Sequence, residues 1–207
     1  ITTGERRIVV ERSSGPGPAV GPVRRELVRS RFVNGDLDAF DELARPHLNA
    51  LYTLCLRVVG NEQEAEELAQ TALVKALRAR QRFDPERAFK PWLFQITLNV
   101  CRDRLRTVWW SRMLPLSMAP VESQPSPEMR TEAAERDVMV RQALSTLPCK
   151  YREAVALFHL EDMSYAEMSE ITGVGVPALK QRVRRGSALL REKVQKLYPE
   201  LDRGRTS

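Results

Sequence analysis

Residues 164–186 read SYAEMSEITGVGVPALKQRVRRG and contain the start and stop signals of two helices separated by a tight turn. Ser164 with Glu167 three residues later forms a capping box, so a helix is predicted to begin directly after the serine. Gly173 can adopt the left-handed conformation that ends a helix, and Pro177 suits the first turn of the next one. Helix, glycine-containing turn and helix together predict a helix-turn-helix motif.

The second helix of this motif separates apolar from basic residues. At about 100° per residue, one narrow stripe collects the apolar side chains of Val176, Leu179, Val183, Leu190 and Val194. The remaining surface carries the polar and basic side chains of Lys180, Gln181, Arg182, Arg184 and Arg185. A solvated surface helix usually mixes charge signs, whereas these cations have no acid among them. The pattern therefore favours contact with DNA phosphates and base edges over an ordinary charged surface.

The composition is that of a basic globular protein. Of its 207 residues 43% are hydrophobic, and 33 Lys and Arg against 27 Asp and Glu give a formal charge of +6. This length suits one medium domain or two small ones, and the charge favours a polyanionic partner. The sequence contains no run of about 18 apolar residues that would predict a membrane span, and residues 1–23 lack the apolar region of a secretory signal. We therefore expect a cytoplasmic protein with no membrane insertion of its own.

Helical periodicity and loop-forming composition divide the chain into five segments. Residues 1–23, rich in Gly, Pro and Ser, predict a flexible leader, and residues 24–106 predict a helical domain. Residues 107–131, with four prolines, predict a linker. Residues 132–198 predict a second helical domain, and residues 199–207 a short tail. The predicted fold is all-α, with two small helical domains joined by a flexible linker, the second being a helix-turn-helix domain.

The reactive side chains form no pattern typical of an enzyme or a metal site. Cys55, Cys101 and Cys149 are odd in number and lack a CxxC pair, so we expect small core residues rather than disulfides or a zinc site. The two histidines, His47 and His159, lie in apolar helical patterns, and no Gly-rich phosphate loop or nucleophile elbow is present. The sequence predicts no catalytic residue, no metal and no cofactor.

The ordered segments resemble the extracytoplasmic-function (ECF) group of the sigma-seventy family of bacterial transcription initiation factors. In the first domain the resemblance rests on FDEL, LYTLCLRVVGNEQEAEELAQTALVKAL and AFKPWLFQITLNVCRDRLR. In the second it rests on ALSTLPCKYREAVALFHLEDMSYAEMSEITGV and LKQRVRRGSALLRE. Each stretch is weak alone, but the ordered set is highly specific. It implies a dissociable sigma factor that directs core RNA polymerase to promoters and initiates transcription without catalysis of its own.

The resemblance assigns polymerase and minus-ten functions to the first domain. It implies that the clamp helices of the largest polymerase subunit bind residues on one helix, namely Glu64, Glu66, Glu67, Leu68 and Gln70. It also implies that a loop and the helix after it recognise and melt the minus-ten element, through Phe83, Asp84, Arg87, Phe89, Asn99, Arg102 and Arg106. A melted base needs stacking surface, polar groups and a basic track, and these residue types supply all three. Phe89 and Trp92 have residue types that more often pack in a core, so this alternative stays open for Phe89, and Trp92 is expected to pack in the core.

For the second domain, the resemblance implies recognition of the minus-thirty-five element and binding to the flap of the second-largest polymerase subunit. The DNA contacts are expected from Lys180, Gln181, Arg182, Arg184 and Arg185. Pro177, Ala178 and Gly186 depart from the usual pattern, so the preferred bases stay open. An anti-sigma factor that covers the polymerase- and DNA-binding faces is a further expected partner.

A stand-alone helix-turn-helix regulator, with a first domain for dimerisation or sensing, is the alternative. It predicts two-fold symmetric operators and DNA binding without polymerase. The acidic helix and the aromatic loop of the first domain favour the sigma factor, because a simple repressor needs neither. The regulon, the regulatory signal and the roles of residues 1–23, Trp109 and Trp110 stay open.

Overall fold

The computed structural model describes residues 22–113, 132–159 and 163–198. These residues form α-helices and two 3-10 turns with no strand among them, in agreement with the predicted all-α class. In chain order the helices are α1 (Pro22–Val33), α2 (Leu37–Ala44), α3 (Leu48–Val59), α4 (Glu62–Arg78), α5 (Phe89–Met113), α6 (Glu132–Ser145), α7 (Cys149–His159), α8 (Tyr165–Thr172) and α9 (Val176–Leu197). None of them is long and apolar enough to cross a membrane.

Local signals in the sequence set most helix ends. The Ser164 hydroxyl accepts a hydrogen bond from the Glu167 amide, and the Glu167 carboxylate accepts one from the Ser164 amide, so the predicted capping box is confirmed. Gly173 ends α8 with φ of +69°, a left-handed conformation in which glycine has no steric penalty. Gly60 ends α3 in the same way, at φ of +85°. The tight turn of the predicted helix-turn-helix motif therefore follows from its glycines and its cap.

Two predicted domain boundaries differ from the structure. Helix α5 continues to Met113, so the predicted linker start after Arg106 is wrong. Helix propagation needs only backbone hydrogen bonds, and no proline lies between Pro91, in the first turn of α5, and Pro115, so the loss of apolar periodicity does not end the helix. Helix α1 begins at Pro22, inside the predicted leader. The rest of the leader, residues 114–131 of the linker, the tail and the side chains of Trp109 and Trp110 lie outside the described part of the structure.

Helices α1 to α5 form the first domain around a core of large apolar side chains. Fully buried members include Leu51, Leu54, Leu93, Phe94 and Leu98. Cys55 and Cys101 are also fully buried, with their Sγ atoms 3.6 Å apart, which confirms both as core residues.

Cys149 differs from this expectation, because it is only half-buried at the start of α7. Its thiol donates a hydrogen bond to Glu153, with Sγ 3.1 Å from Oε1. Burial, together with the Glu153 carboxylate, raises the pKa of the Cys149 thiol to about 12, so the thiol stays protonated at neutral pH.

Helices α6 to α9 form the second domain, which packs directly against the first. Helix α8 lies on α5, while α6 and α7 lie on α3. The buried side chains of Leu157, Met163 and Met168 belong to the same continuous apolar cluster as the core of the first domain. The two predicted domains are present, the main core extends across both, and the second domain has a smaller apolar cluster of its own around Leu144, Leu147 and Val155.

Candidate nucleic-acid interface

Helix α9 rests on the rest of the second domain through its predicted apolar stripe. Leu179 and Val183 are buried, and the remaining stripe residues are half-buried. Gly186 is buried as well, because a Cβ atom there would lie 2.7 Å from Val155 Cγ2 and 3.0 Å from the Tyr151 carbonyl oxygen. Gly186 therefore lies on the inner side of α9 and allows this helix to approach α7 closely.

The outer face of α9 presents its cations to solvent. Lys180, Gln181, Arg184 and Arg185 are exposed and Arg182 is half-buried. None of these four cations pairs with a carboxylate of the described residues. Their neighbours are aromatic: Lys180 Nζ lies 5.8 Å from the ring centre of Tyr165 and Arg185 Cζ 5.8 Å from that of Tyr151. Cation–π contacts orient these groups and leave their N–H donors available to phosphate or base edges.

A basic cleft next to α9 extends this surface onto α7. Its volume is about 170 Å³, and its lining residues are Lys150, Tyr151, Ala178, Gln181, Arg182 and Arg185. The lining contains three cations and no acid, and Lys150 Nζ lies 5.1 Å from the Tyr151 ring centre. Sequence reasoning missed Lys150 and Tyr151 because they precede the helix-turn-helix motif. The available signal was the aromatic Tyr151 directly after the basic Lys150, at the start of a helix that packs on the motif.

The loop before α5 hides its aromatic rings. Phe83 and Phe89 are 3% and 5% exposed, and their ring centres lie 5.5 Å apart in a cluster with Phe32, Phe40 and Trp92. Phe83 and Phe89 therefore present no exposed stacking surface to a base in this structure, and Phe89 takes the core position that its residue type also allows. Burying these large rings together is lower in free energy than exposing them to water, and it fixes the path of the loop. Trp92 packs in the same cluster, as expected.

The polar residues of the predicted minus-ten site remain at the surface. Asp84 and Arg87 are exposed on the loop, with Asp84 Oδ2 3.9 Å from Arg87 Nε. Asn99 and Arg106 are exposed along α5, and Arg106 pairs with Asp103 at 2.9 Å. These side chains follow the exposed side of α5 and can line the track of a single strand.

Arg102 lies on the same helix but is engaged by the second domain. Its Nε and Nη2 atoms donate to the two carboxylate oxygens of Glu153 at 2.8 and 2.7 Å. These hydrogen bonds raise the pKa of the Arg102 guanidinium above its ordinary value. Two parallel bonds between a guanidinium and a carboxylate form one of the strongest polar contacts available to a protein.

Sequence reasoning also missed two buried charges on α7. Glu153 is 4% exposed, and Arg152 is 9% exposed. Arg152 donates from Nη1 to the Val58 carbonyl oxygen at 2.5 Å and from Nη2 to the Leu147 carbonyl oxygen at 3.0 Å. Burial lowers the pKa of Arg152. The signal was present in the sequence, since both charges interrupt an otherwise apolar helix.

Helix α4 carries the predicted polymerase-binding residues. Glu66, Glu67 and Gln70 are exposed and Leu68 is half-buried. Glu64 differs, because its carboxylate accepts a hydrogen bond from Arg104 Nη2 of α5 at 2.6 Å and so links the two helices. Val74, one turn beyond Gln70, is 47% exposed, so this face of α4 also presents an apolar side chain that sequence reasoning missed.

The described residues contain no group of three side chains able to hold a metal ion.

Known sequences and structures match both domains. Sigma-70 region 2 matches residues 43–111, and Sigma-70, region 4 matches residues 137–190. The ECF RNA polymerase sigma factor SigW of Bacillus subtilis is 31% identical over 173 residues, which cover 79% of this chain and 92% of SigW.

Two solved structures have the same fold. CnrH in complex with the cytosolic domain of CnrY has a TM-score of 0.64 at 25% identity, over 83% of this chain and 97% of CnrH. The sigma factor RpoE in complex with the anti-sigma factor NepR from Bartonella quintana has a TM-score of 0.58 at 26% identity, over 75% of this chain and 96% of RpoE. The order of the two regions, the SigW match and the exposed cations of α9 agree, and the chain therefore belongs to the ECF group of sigma-seventy family RNA polymerase sigma factors.

Proposed function

We propose that this protein binds core RNA polymerase, directs it to specific promoters and initiates transcription there, acting by binding alone and without catalysis of its own. The observation that carries the proposal is the presence on one chain of two different surfaces. Helix α4 presents Glu66, Glu67 and Gln70, while α9 presents cations that no described acid neutralises. An acidic surface suits a basic protein partner, and a cationic surface suits DNA.

In this proposal, the exposed face of α4 binds the clamp helices of the largest polymerase subunit, and the second domain binds the flap of the second-largest subunit. Helix α9 enters the major groove of the minus-thirty-five element, where Gln181, Arg184 and Arg185 can reach base edges. The basic cleft beside it holds a backbone phosphate between Lys150 and Arg182.

The minus-ten element is proposed to bind along the loop and α5. Asp84, Arg87, Asn99 and Arg106 are exposed there, and Arg102 joins them when Glu153 releases it. Phe83 and Phe89 support this surface from beneath, because their burial holds the loop in place.

We also propose that an anti-sigma factor regulates this cytoplasmic protein. RpoE, whose fold this chain shares, was solved in complex with the anti-sigma factor NepR. The two domains pack closely together, so one inhibitor can contact both of them at the same time.

Transcription with purified core polymerase on a library of genomic fragments tests the proposal. We expect initiation at a defined set of promoters, and its loss when Arg185 is replaced by Ala. Arg191→Ala, at an exposed position farther along the same helix, is the matched control and should retain activity. Failure to initiate on any fragment, or binding of the chain alone to two-fold symmetric operators, would contradict the proposal.

A further inference from the structure

The cleft beside α9 contains an aromatic ring, that of Tyr151, which belongs to α7. Lys150 Nζ lies 5.1 Å from the centre of this ring, and Arg185 Cζ, on the facing helix, lies 5.8 Å from it. All three residues line the same cleft. The proposed function uses the cations of this cleft to bind DNA, and it leaves the ring beside them without a role.

The apolar side chains around Tyr151 hold its ring in place. Tyr151 is half-buried and packs against the small apolar cluster of the second domain. This cluster consists of the buried side chains of Leu144, Leu147 and Val155, with Leu189 and Leu190 of α9 packed against it. Close packing leaves such a ring little rotamer freedom. Tyr151 is therefore a rigid platform, whereas Arg185 is exposed and has a long flexible side chain.

Gly186 sets the distance at which α9 passes this ring. A Cβ atom on Gly186 would lie 3.3 Å from Tyr151 Cβ and 3.0 Å from the Tyr151 carbonyl oxygen. Arg185 directly precedes this glycine, so the position at which the two helices approach also places the guanidinium over the Tyr151 ring. A side chain at residue 186 would push the helices apart and lengthen the contact. The cation–π contact therefore depends on the glycine.

Arg184 shows the same side chain without a ring beside it. Both Arg184 and Arg185 are exposed, and neither pairs with a carboxylate of the described residues. Of these two, only Arg185 has a cation–π contact in the part of the chain that the structure describes. An arginine that binds DNA loses rotamer freedom, and a stacked guanidinium has lost part of it before DNA arrives. Its N–H donors stay available, because the contact uses the face of the ring.

We propose that Tyr151 is a positioning residue for promoter recognition: its ring holds the Arg185 guanidinium ready for DNA, and Gly186 brings α9 close enough for this contact. Tyr151 acts through Arg185 and does not itself read a base. This inference rests on the proposed binding of α9 to the minus-thirty-five element. It assigns a role in DNA binding to an aromatic residue that lies outside the helix-turn-helix motif.

A double-mutant cycle on the affinity of the holoenzyme for a promoter fragment tests the inference. Tyr151→Leu should lower this affinity by about fivefold, the size of one cation–π contact, while binding to core polymerase is unchanged. In an Arg185→Ala background the same change should lower it by less than about twofold, because the side chain that Tyr151 positions is gone. Tyr165→Leu is the matched control. Its ring lies 5.8 Å from Lys180 Nζ, so its effect should be the same in both backgrounds.

Tyr151→Phe separates the ring from the hydroxyl group. It keeps the cation–π surface and should retain promoter affinity within about twofold of wild type. A loss as large as that of Tyr151→Leu would show that the hydroxyl contacts DNA directly, and the positioning role would be wrong. Equal losses from Tyr151→Leu with and without Arg185 would also overturn it, because the change would then act through the fold. If Tyr151→Leu does not fold, Tyr151→Met, whose flexible side chain fills irregular gaps, replaces it in the cycle.

Nuclear magnetic resonance of the free chain measures the contact without a promoter. The Tyr151 ring should shift the Arg185 Hε resonance upfield, and this shift should persist in Tyr151→Phe and disappear in Tyr151→Leu. Gly186→Ala should reduce the shift, since the added methyl group moves α9 away from α7. An Arg185 resonance that is identical in wild type and Tyr151→Leu would overturn the inference. Failure of the wild-type holoenzyme to bind any promoter would instead count against the proposed function, and the resonance would still report on the contact.

Discussion

Helices α5 and α9 both carry a row of cations, but their surroundings differ. On α9, Arg184 and Arg185 have no carboxylate partner among the described residues. On α5, Arg102 pairs with Glu153 and Arg104 with Glu64. Lys180 and Arg185 of α9 lie near tyrosine rings, whereas the partners of the α5 arginines are acids, Glu64 of α4 and Glu153 of α7. A cationic surface without acids is ready to bind DNA, while a neutralised one must first be released.

The strongest test of this difference is Arg185→Ala. We expect a loss of about 10- to 100-fold in affinity for the minus-thirty-five element, because an unpaired guanidinium that reaches DNA contributes about 1–3 kcal/mol. Binding of core polymerase should be unchanged, since α4 is far along the chain and unaltered. Electrophoretic mobility shift with a promoter fragment measures the first quantity and co-purification the second. Equal affinity of wild type and variant would show that another face of α9 contacts DNA.

Gly186→Ala tests how α9 is held in place. The added methyl group would meet Val155 Cγ2 at 2.7 Å and the Tyr151 carbonyl oxygen at 3.0 Å. We expect a loss of about 1–3 kcal/mol in the free energy of unfolding, although alanine favours helix more than glycine does. Urea denaturation measures this loss in the free energy of unfolding. In a double-mutant cycle with Val155→Ala, which removes the closest contact but also destabilises the core, the two losses should add up to more than the loss in the double variant, and additive losses would mean that the two helices do not meet there.

Lys150→Ala tests the extension of the α9 surface onto α7. The lysine lines the cleft beside Arg182 and Arg185, so its loss should weaken DNA binding by about threefold to tenfold for all promoter sequences alike. The slope of log affinity against log salt should fall by about 1, because one fewer phosphate is neutralised. Lys193→Ala, farther along α9, is the matched control. An effect that varied with promoter sequence would indicate base contact instead.

The smallest expected effect is on the pH dependence of the free energy of unfolding, and it comes from His47, which packs against α5. His47 packs edge-on against Phe94, with ring centres 6.3 Å apart, and burial, assisted by Lys90, lowers its pKa below the ordinary value near 6.5. The unfolded chain therefore binds this proton more readily than the folded chain. Stability is complete above about pH 6.5 and is lost as the pH falls through the folded pKa.

His47→Gln should accordingly reduce the loss in the free energy of unfolding as the pH falls below about 6.5. Denaturation at several pH values measures this slope. His159→Gln, at an exposed position, is the surface control. An identical slope in His47→Gln and wild type would show that His47 does not sense this pH range.

The recognition helix illustrates what could be predicted from sequence. Its cap, turn and apolar stripe are local patterns of spacing, and all three are present in the structure. The loop before α5 illustrates the limit, because Phe83 and Phe89 have the residue type of a stacking site but lie in an aromatic cluster. Whether a ring is buried depends on Phe32 and Phe40, which lie about fifty residues earlier in the chain. The sequence pattern around the loop does not contain that contact.

The sequence by itself determined the all-α class, the helix-turn-helix motif and the separation of apolar from basic residues on α9, since each depends on residues a few positions apart. Only the tertiary structure decided that the two domains share a core, that Glu153 engages Arg102, and that Gly186 lies between α7 and α9. Arg102 and Glu153 are fifty-one residues apart in the chain. Their pairing results from the packing of α7 and α8 on the first domain, where burial makes an unpaired charge unfavourable.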